Sequence, residues 1–260
     1  MVLYKTAAAV CLVALYGLHS EAGTVTTTYK FKAVNVEDDA YFAAKLVRNG
    51  KLAVHISEVS KDEDLISELQ EKVAPSADLE QQTGTSEVSC NKLMEDSGLK
   101  SIFHHAFSNV GSYNYHELFQ AALDAGITVF KDKGYQNKWN EIWGDADGAN
   151  LAYLLGANST KIGCVIGECI KVQTQEDDEP PTTENPTGDA FLFCQLSPAA
   201  DKNKAPFDED YFNALTARTA KLAAMTEEDL KAPSNGASAT AAIPTILVAS
   251  LVAMLTAVPA

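Results

Sequence analysis

The sequence predicts an α+β domain in which helices cover a small, mainly antiparallel sheet. Three observations point there. Residues 25–33 alternate apolar and polar with the period of two that marks a half-buried strand. Residues 161–172 and 190–196 read as two further strands that follow one another, so they pair as an antiparallel hairpin. The stretch between the first strand and this hairpin carries capping signals and apolar residues spaced by three and four, the pattern of amphipathic helices. Helices from the middle of the chain must then bury the faces of the sheet, which gives a helix–sheet–helix sandwich.

Each element has its own signal. In the first strand Tyr29, Phe31 and Ala33 share one face, while Thr28, Lys30 and Lys32 share the other. Asn35 is a candidate N-cap for a helix carrying Ala40, Ala43, Ala44 and Val47, which Asn49-Gly50 stops. Residues 51–59 form an extended connection. Ser60-Lys61-Asp62-Glu63 is a capping box, and Leu65, Ile66, Leu69 and Val73 line one face of the helix it opens, before Pro75. Residues 75–89 are polar and read as a loop, and 90–107 as a helical stretch. Asn114 caps another helix, predicted to bury Leu118, Ala121, Ala122, Ala125 and Val129. Trp139, Ile142 and Trp143 mark a further turn or two. Residues 173–188, acidic and proline-rich, read as the solvated tip of the hairpin. Asp208 starts a last helix with Tyr211, Leu215 and Leu222, and a tether begins at Thr226.

Both ends of the 260-residue chain read as processing signals. Residues 1–22 combine Lys5, an apolar run over 7–18 and small residues around the end of the segment, as in a secretory signal peptide. Residues 243–260 are apolar, and no charged side chain follows Lys231. Small residues, a neutral spacer and a hydrophobic tail form a GPI-attachment signal, with Asn235 the expected attachment residue and Ser234 or Gly236 the alternatives. A single-pass helix is the competing interpretation of the tail. The expected division is signal peptide 1–22, folded domain 23–225, tether 226–235 and removed tail 236–260. The product would sit at the cell surface, on the outer leaflet of the plasma membrane.

Charge and cysteine content narrow the function. With 35 acidic and 20 basic residues the chain carries a formal charge of −15, which disfavours a nucleic-acid partner. Cys11 leaves with the signal, and Cys90, Cys164, Cys169 and Cys194 remain. Four cysteines in an exported domain imply two disulfides, with three possible connectivities. A strand through Cys164 and Cys169 would separate them by roughly 16 Å, whereas bonded cysteines keep their Cα atoms within about 7 Å. Two connectivities therefore stay open, each joining one of this pair to Cys194 and the other to Cys90.

No catalytic set emerges. His55, His104, His105 and His116 show no metal-ligand spacing, and two adjacent histidines on a helix would diverge by about 100°. The sequence has no GxSxG elbow and no glycine-rich phosphate loop, and every mature cysteine has a better use in a disulfide. Glu176-Asp177-Asp178-Glu179 lacks EF-hand spacing. No cofactor and no metal are expected. Asn158-Ser159-Thr160 is an N-glycosylation sequon, and the same tripeptide suits a turn leading into the strand.

The segment from Trp143 through Gly144, Asp145, Asn150, Tyr153 and Lys161 to Cys164 and Cys169 resembles the GPI-anchored surface antigens (SAG family) of Eimeria-type coccidian parasites. The likeness extends to Asp38 through Leu52, to the strand holding Cys194 and to both processing signals. More remotely, 157–169 is similar to the late strand motif of the CAP superfamily, the cysteine-rich secretory, antigen 5 and pathogenesis-related proteins. That resemblance implies a CAP-like α-β-α sandwich with the pairs Cys90–Cys169 and Cys164–Cys194. It places Asn150 where CAP proteins usually carry a cavity histidine, so their metal-binding cavity does not carry over. The combined expectation is a non-enzymatic surface antigen whose partners are the host cell surface and host antibodies. The alternative is a lipid- or small-ligand-binding CAP-like module with a groove between helices and sheet.

Overall fold

The computed structural model describes residues 25–75, 89–109, 111–136, 138–175 and 182–231. Its elements run β1 (Val25–Asn35), α1 (Asp38–Asn49), β2 (Ser60–Lys61), α2 (Glu63–Val73), α3 (Cys90–Asp96), β3 (Phe103–Ser108), α4 (Tyr115–Lys133), α5 (Trp139–Gly144), α6 (Ala146–Leu154), β4 (Lys161–Gln175), β5 (Thr182–Ser197) and α7 (Glu209–Ala217). Short 3-10 turns occupy Leu99–Ser101, Leu222–Ala224 and Glu227–Leu230. Among the described residues the strands form one mixed, open five-stranded sheet in the order β1-β4-β5-β3, with β2 adding a two-residue parallel pairing to β4. All other pairings are antiparallel.

The pleat of the sheet decides which helix covers which face. Ile162, Cys164 and Ile166 alternate with Gly163, Val165 and Gly167 along β4. Cys164 lies opposite Cys194, which lies opposite Phe103, and Phe103 stacks on Phe119 of α4 at 5.3 Å. That face belongs to α1, α4 and α6. On the other face a Cβ placed on Gly163 would sit 2.7 Å from the backbone of Leu65 and Ile66, so α2 packs directly against the main chain of β4. The buried residues of α2 are Leu65, Ile66, Leu69 and Val73, the predicted stripe. Burying side chains of this size stabilises by about 1.5–3 kcal/mol each. The predicted α+β architecture, with helices on both faces of a largely antiparallel sheet, is the observed one.

Both disulfides follow the pairing the CAP resemblance implied. Cys164 and Cys194 face each other across β4 and β5 with Cα atoms 4.1 Å apart, the close spacing of a pair that exchanges no ladder hydrogen bonds. Cys90–Cys169 ties α3 to the opposite face of β4 over a sequence separation of 79 residues. Each closes a loop long enough to restrict the unfolded chain substantially.

Several local expectations need correcting. Asn35 does not cap α1: its backbone is still paired with Val165, so the helix starts after Glu37. Ser60 pairs with Lys161, and Asp62 supplies the cap instead, accepting from Leu65 N at 3.0 Å. The helical reading of 90–107 ends at Asp96, where Gly98 turns the chain at φ 68° and leads it into strand β3. The buried face of α4 is Phe119, Ala122, Leu123, Gly126 and Phe130, one position along from the predicted set, because the aromatic rings take the core and Ala121 stays exposed. Helix α6 was not anticipated. Much of the acidic tip is strand: β4 continues to Gln175 and β5 resumes at Thr182, with Thr174 paired to Thr182. Glu176, Asp177, Asp178 and Glu179 lie outside the described residues, as do the signal peptide and the GPI segment. The last helix stops at Ala217, leaving Leu222 in a 3-10 turn. Thr226, read as the start of a tether, opens a capped 3-10 turn that returns to α1 through Lys51 N and Asp229 O at 2.9 Å.

The contact between α2 and β4 yields a direct test. Gly163→Ala must push α2 off the sheet, and overpacking of this kind costs about 1–3 kcal/mol. Denaturant unfolding of the oxidised protein should show that loss, and an unchanged midpoint would mean that α2 is not held at backbone contact.

Candidate functional site

Exposed features lie at the two ends of the β4–β5 hairpin. At one end β1, β4 and β5 run out together as a ribbon in which Thr182 to Asp189 are exposed throughout. Lys30 reaches across it to Glu184 at 2.6 Å. At the base of the ribbon Glu168 accepts from Asn109 at 2.9 Å, Tyr113 at 3.2 Å and Lys32 at 3.3 Å. Burial pushes this carboxyl upward, but the Lys32 and Asn109 hydrogen bonds outweigh it and hold the group below its ordinary value. The network ties Asn109 and Tyr113 to the sheet.

At the other end, residues 156–160 make the turn into β4. Ser159 is buried, and its hydroxyl donates to Pro198 O at 2.6 Å. Ala157 N donates to Pro206 O at 2.8 Å and Thr160 N to Ser197 O at 3.0 Å. With its neighbours held, Asn158 points outward and is exposed, open to the glycan expected there. Ser234, Asn235 and Gly236 lie outside the described residues.

The histidines are separated by the fold. His104 and His105 sit on β3 rather than on a helix, so they face opposite sides of the sheet. Burial lowers the pKa of both, and for His105 the neighbouring His104 adds to it. His104 Nδ1 lies 2.9 Å from Ile102 O, and His55 Nε2 lies 3.1 Å from Leu52 O. His116 lies 3.5 Å from Asp39. Among the described residues no histidine is hydrogen-bonded to a hydroxyl or thiol, and no group of three His, Cys, Asp or Glu could hold a metal ion. No described helix is long and apolar enough to cross a membrane.

Asn150 has a structural task, as expected of a position to which no metal-binding cavity carries over. β3 is an edge strand, and the N–H and C=O of His104 face away from β5. The Asn150 amide meets both: His104 N donates to its Oδ1 at 2.7 Å, and its Nδ2 donates to His104 O at 2.7 Å. It stands in for the missing peptide of a neighbouring strand. Tyr41 does the same at the end of β1, where its hydroxyl lies 3.4 Å from both Cys164 N and Cys164 O. Neither role carries a sequence motif, and both were missed. The weak signal was a polar residue on an otherwise buried helix face.

Comparison with protein-family profiles finds no match, and comparison with curated proteins finds none. Among solved structures, the chain is similar to an Eimeria tenella surface antigen, SAG19, with 17% identity and a TM-score of 0.43, over 72% of this chain and 97% of that one. It is also similar to a hookworm platelet inhibitor, with 16% identity and a TM-score of 0.38, over 68% of this chain and 79% of that one.

Replacing Asn150 by Ala leaves the partly buried N–H and C=O of His104 unpaired, a loss of about 1–3 kcal/mol. Asn150→Asp keeps the shape but sets a carboxylate against the His104 carbonyl, so it should be at least as destabilising. Urea unfolding ranks the two; an Asp variant as stable as the parent would refute the edge-capping role.

Proposed function

We propose that this chain is a non-enzymatic, GPI-anchored surface antigen of the coccidian SAG type, displayed for host-cell attachment or immune interaction. The observation that carries the reading is the use of cysteine. Cys90–Cys169 and Cys164–Cys194 consume every cysteine of the chain outside the N-terminal segment. A domain built this way belongs in an oxidising compartment. The terminal signals and the sequence resemblance support export to the surface and a lipid anchor there.

The exposed parts suit display. The ribbon around Thr182 to Asp189 and the outward Asn158 project from a scaffold closed by two disulfides. Such a scaffold can present loops and strand edges to antibodies or to a host receptor without changing shape.

Phosphatidylinositol-specific phospholipase C applied to intact cells should release the protein into the supernatant in oxidised form. The released protein should then bind host epithelial cells, and reduction with heating should abolish that binding. Retention in the membrane pellet would contradict the lipid anchor. Equal binding by an unrelated acidic domain would remove attachment and leave the antigen.

A further inference from the structure

Strand β5 outlasts its neighbour β3. Phe103, the first residue of β3, pairs with Cys194, and the chain before it turns away through the Leu99–Ser101 turn. Cys194 exchanges no hydrogen bonds with Cys164, so its own N–H and C=O point toward β3. By the two-residue alternation Leu196 points the same way, past the end of β3. Ser197, next along, points oppositely and accepts from Thr160 N at 3.0 Å. Tyr41 and Asn150 fill two such gaps elsewhere in the sheet. At Leu196 no side chain fills the equivalent place among the described residues.

A cavity of about 200 Å³ opens at this point. Ile102, Phe103, Tyr153 and Ala199 supply its apolar walls, and Gln195 and Lys72 border it. Lys72 is exposed in the last turn of α2 and forms no ion pair among the described residues.

We propose that this slot binds the C-terminal residue of an extended partner chain. The Leu196 N–H and C=O would pair with its main chain, the apolar walls would take its last side chain, and Lys72 would neutralise its terminal carboxylate. A strand running in the direction of β3 would end against Phe103, so the slot admits a chain end and not a continuous segment. In a chain of charge −15, a lysine with no ion pair among the described residues, beside an open strand edge, is the complement an acid-ended peptide requires. This inference does not depend on how the protein is anchored.

The test is fluorescence anisotropy of the oxidised full chain with a short fluorescein-labelled peptide ending in Thr-Val-Ile. A free-acid form and a C-terminal amide form are compared. The acid should bind saturably and the amide about tenfold or more weaker. Lys72→Glu should weaken the acid by about tenfold and leave the amide unchanged. Ala199→Trp, an exposed position at which the new ring fills the slot, should abolish binding of both. No saturable binding of the acid, equal affinity for acid and amide, or full binding by Ala199→Trp would each overturn the proposal. So would a medium-chain fatty acid that displaces the peptide and shows the same dependence on Lys72, since the slot would then be a lipid site.

Discussion

A single buried cation without a carboxylate partner organises one side of this molecule. Arg48, near the C-terminal end of α1, is fully buried. Its guanidinium donates to the carbonyls of Leu154 at 2.6 Å, Ser57 at 2.8 Å, Gly156 at 3.0 Å and Ser159 at 3.3 Å. Burial pushes its pKa down to about 10, which still leaves it charged at neutral pH. Its own carbonyl accepts from the Tyr211 hydroxyl of α7. Next to it the Asn49 side chain pairs with both backbone groups of Ile56 at 3.0 Å. Arg218 closes the end of α1 by donating to Leu46 O and Gly50 O. Carbonyl dipoles take the place of a counter-ion, so the cost of burying the charge is offset only while the converging segments stay together.

The same device recurs at the sheet. Tyr41 and Asn150 complete strand edges that no strand reaches, and Arg48 completes the turn that starts β4. Helical side chains therefore set where the strands begin and end, and the disulfides then lock the result. Ion pairs add little to this. Lys30–Glu184 and the other pairs in which both side chains are exposed contribute at most about 1 kcal/mol each. The consequence is a scaffold held from inside, with the Asn158 side chain and the ribbon from Thr182 to Asp189 exposed at its surface.

Much of this architecture is legible in the sequence, and the exceptions share a cause. The α2 stripe, the Asn114 cap and the pairing of β4 with β5 all rest on local periodicity or capping, and all are found. β3 has no strand signal in the sequence, because its six residues carry two histidines and depend on β5 and Asn150 for their conformation. α6 is built of small residues, Ala146, Gly148, Ala149 and Ala152 among them, and shows little contrast between its faces. Residue chemistry left two disulfide connectivities standing, because choosing between them needs the register that sets Cys164 opposite Cys194. Arg48 was invisible for the same reason: it reaches Leu154 across 106 positions, and no local pattern announces a partner so far along the chain.

The claim that this cation holds the fold together is open to one direct measurement, the unfolding free energy of oxidised Arg48→Met and Arg48→Lys proteins in denaturant. Methionine fills the space but orphans four carbonyls, and it should lose at least about 3 kcal/mol. Lysine keeps the charge with fewer donors and should fall between methionine and the parent. A methionine variant within about 0.5 kcal/mol of the parent would show that the guanidinium is dispensable, and the account would be wrong at its centre.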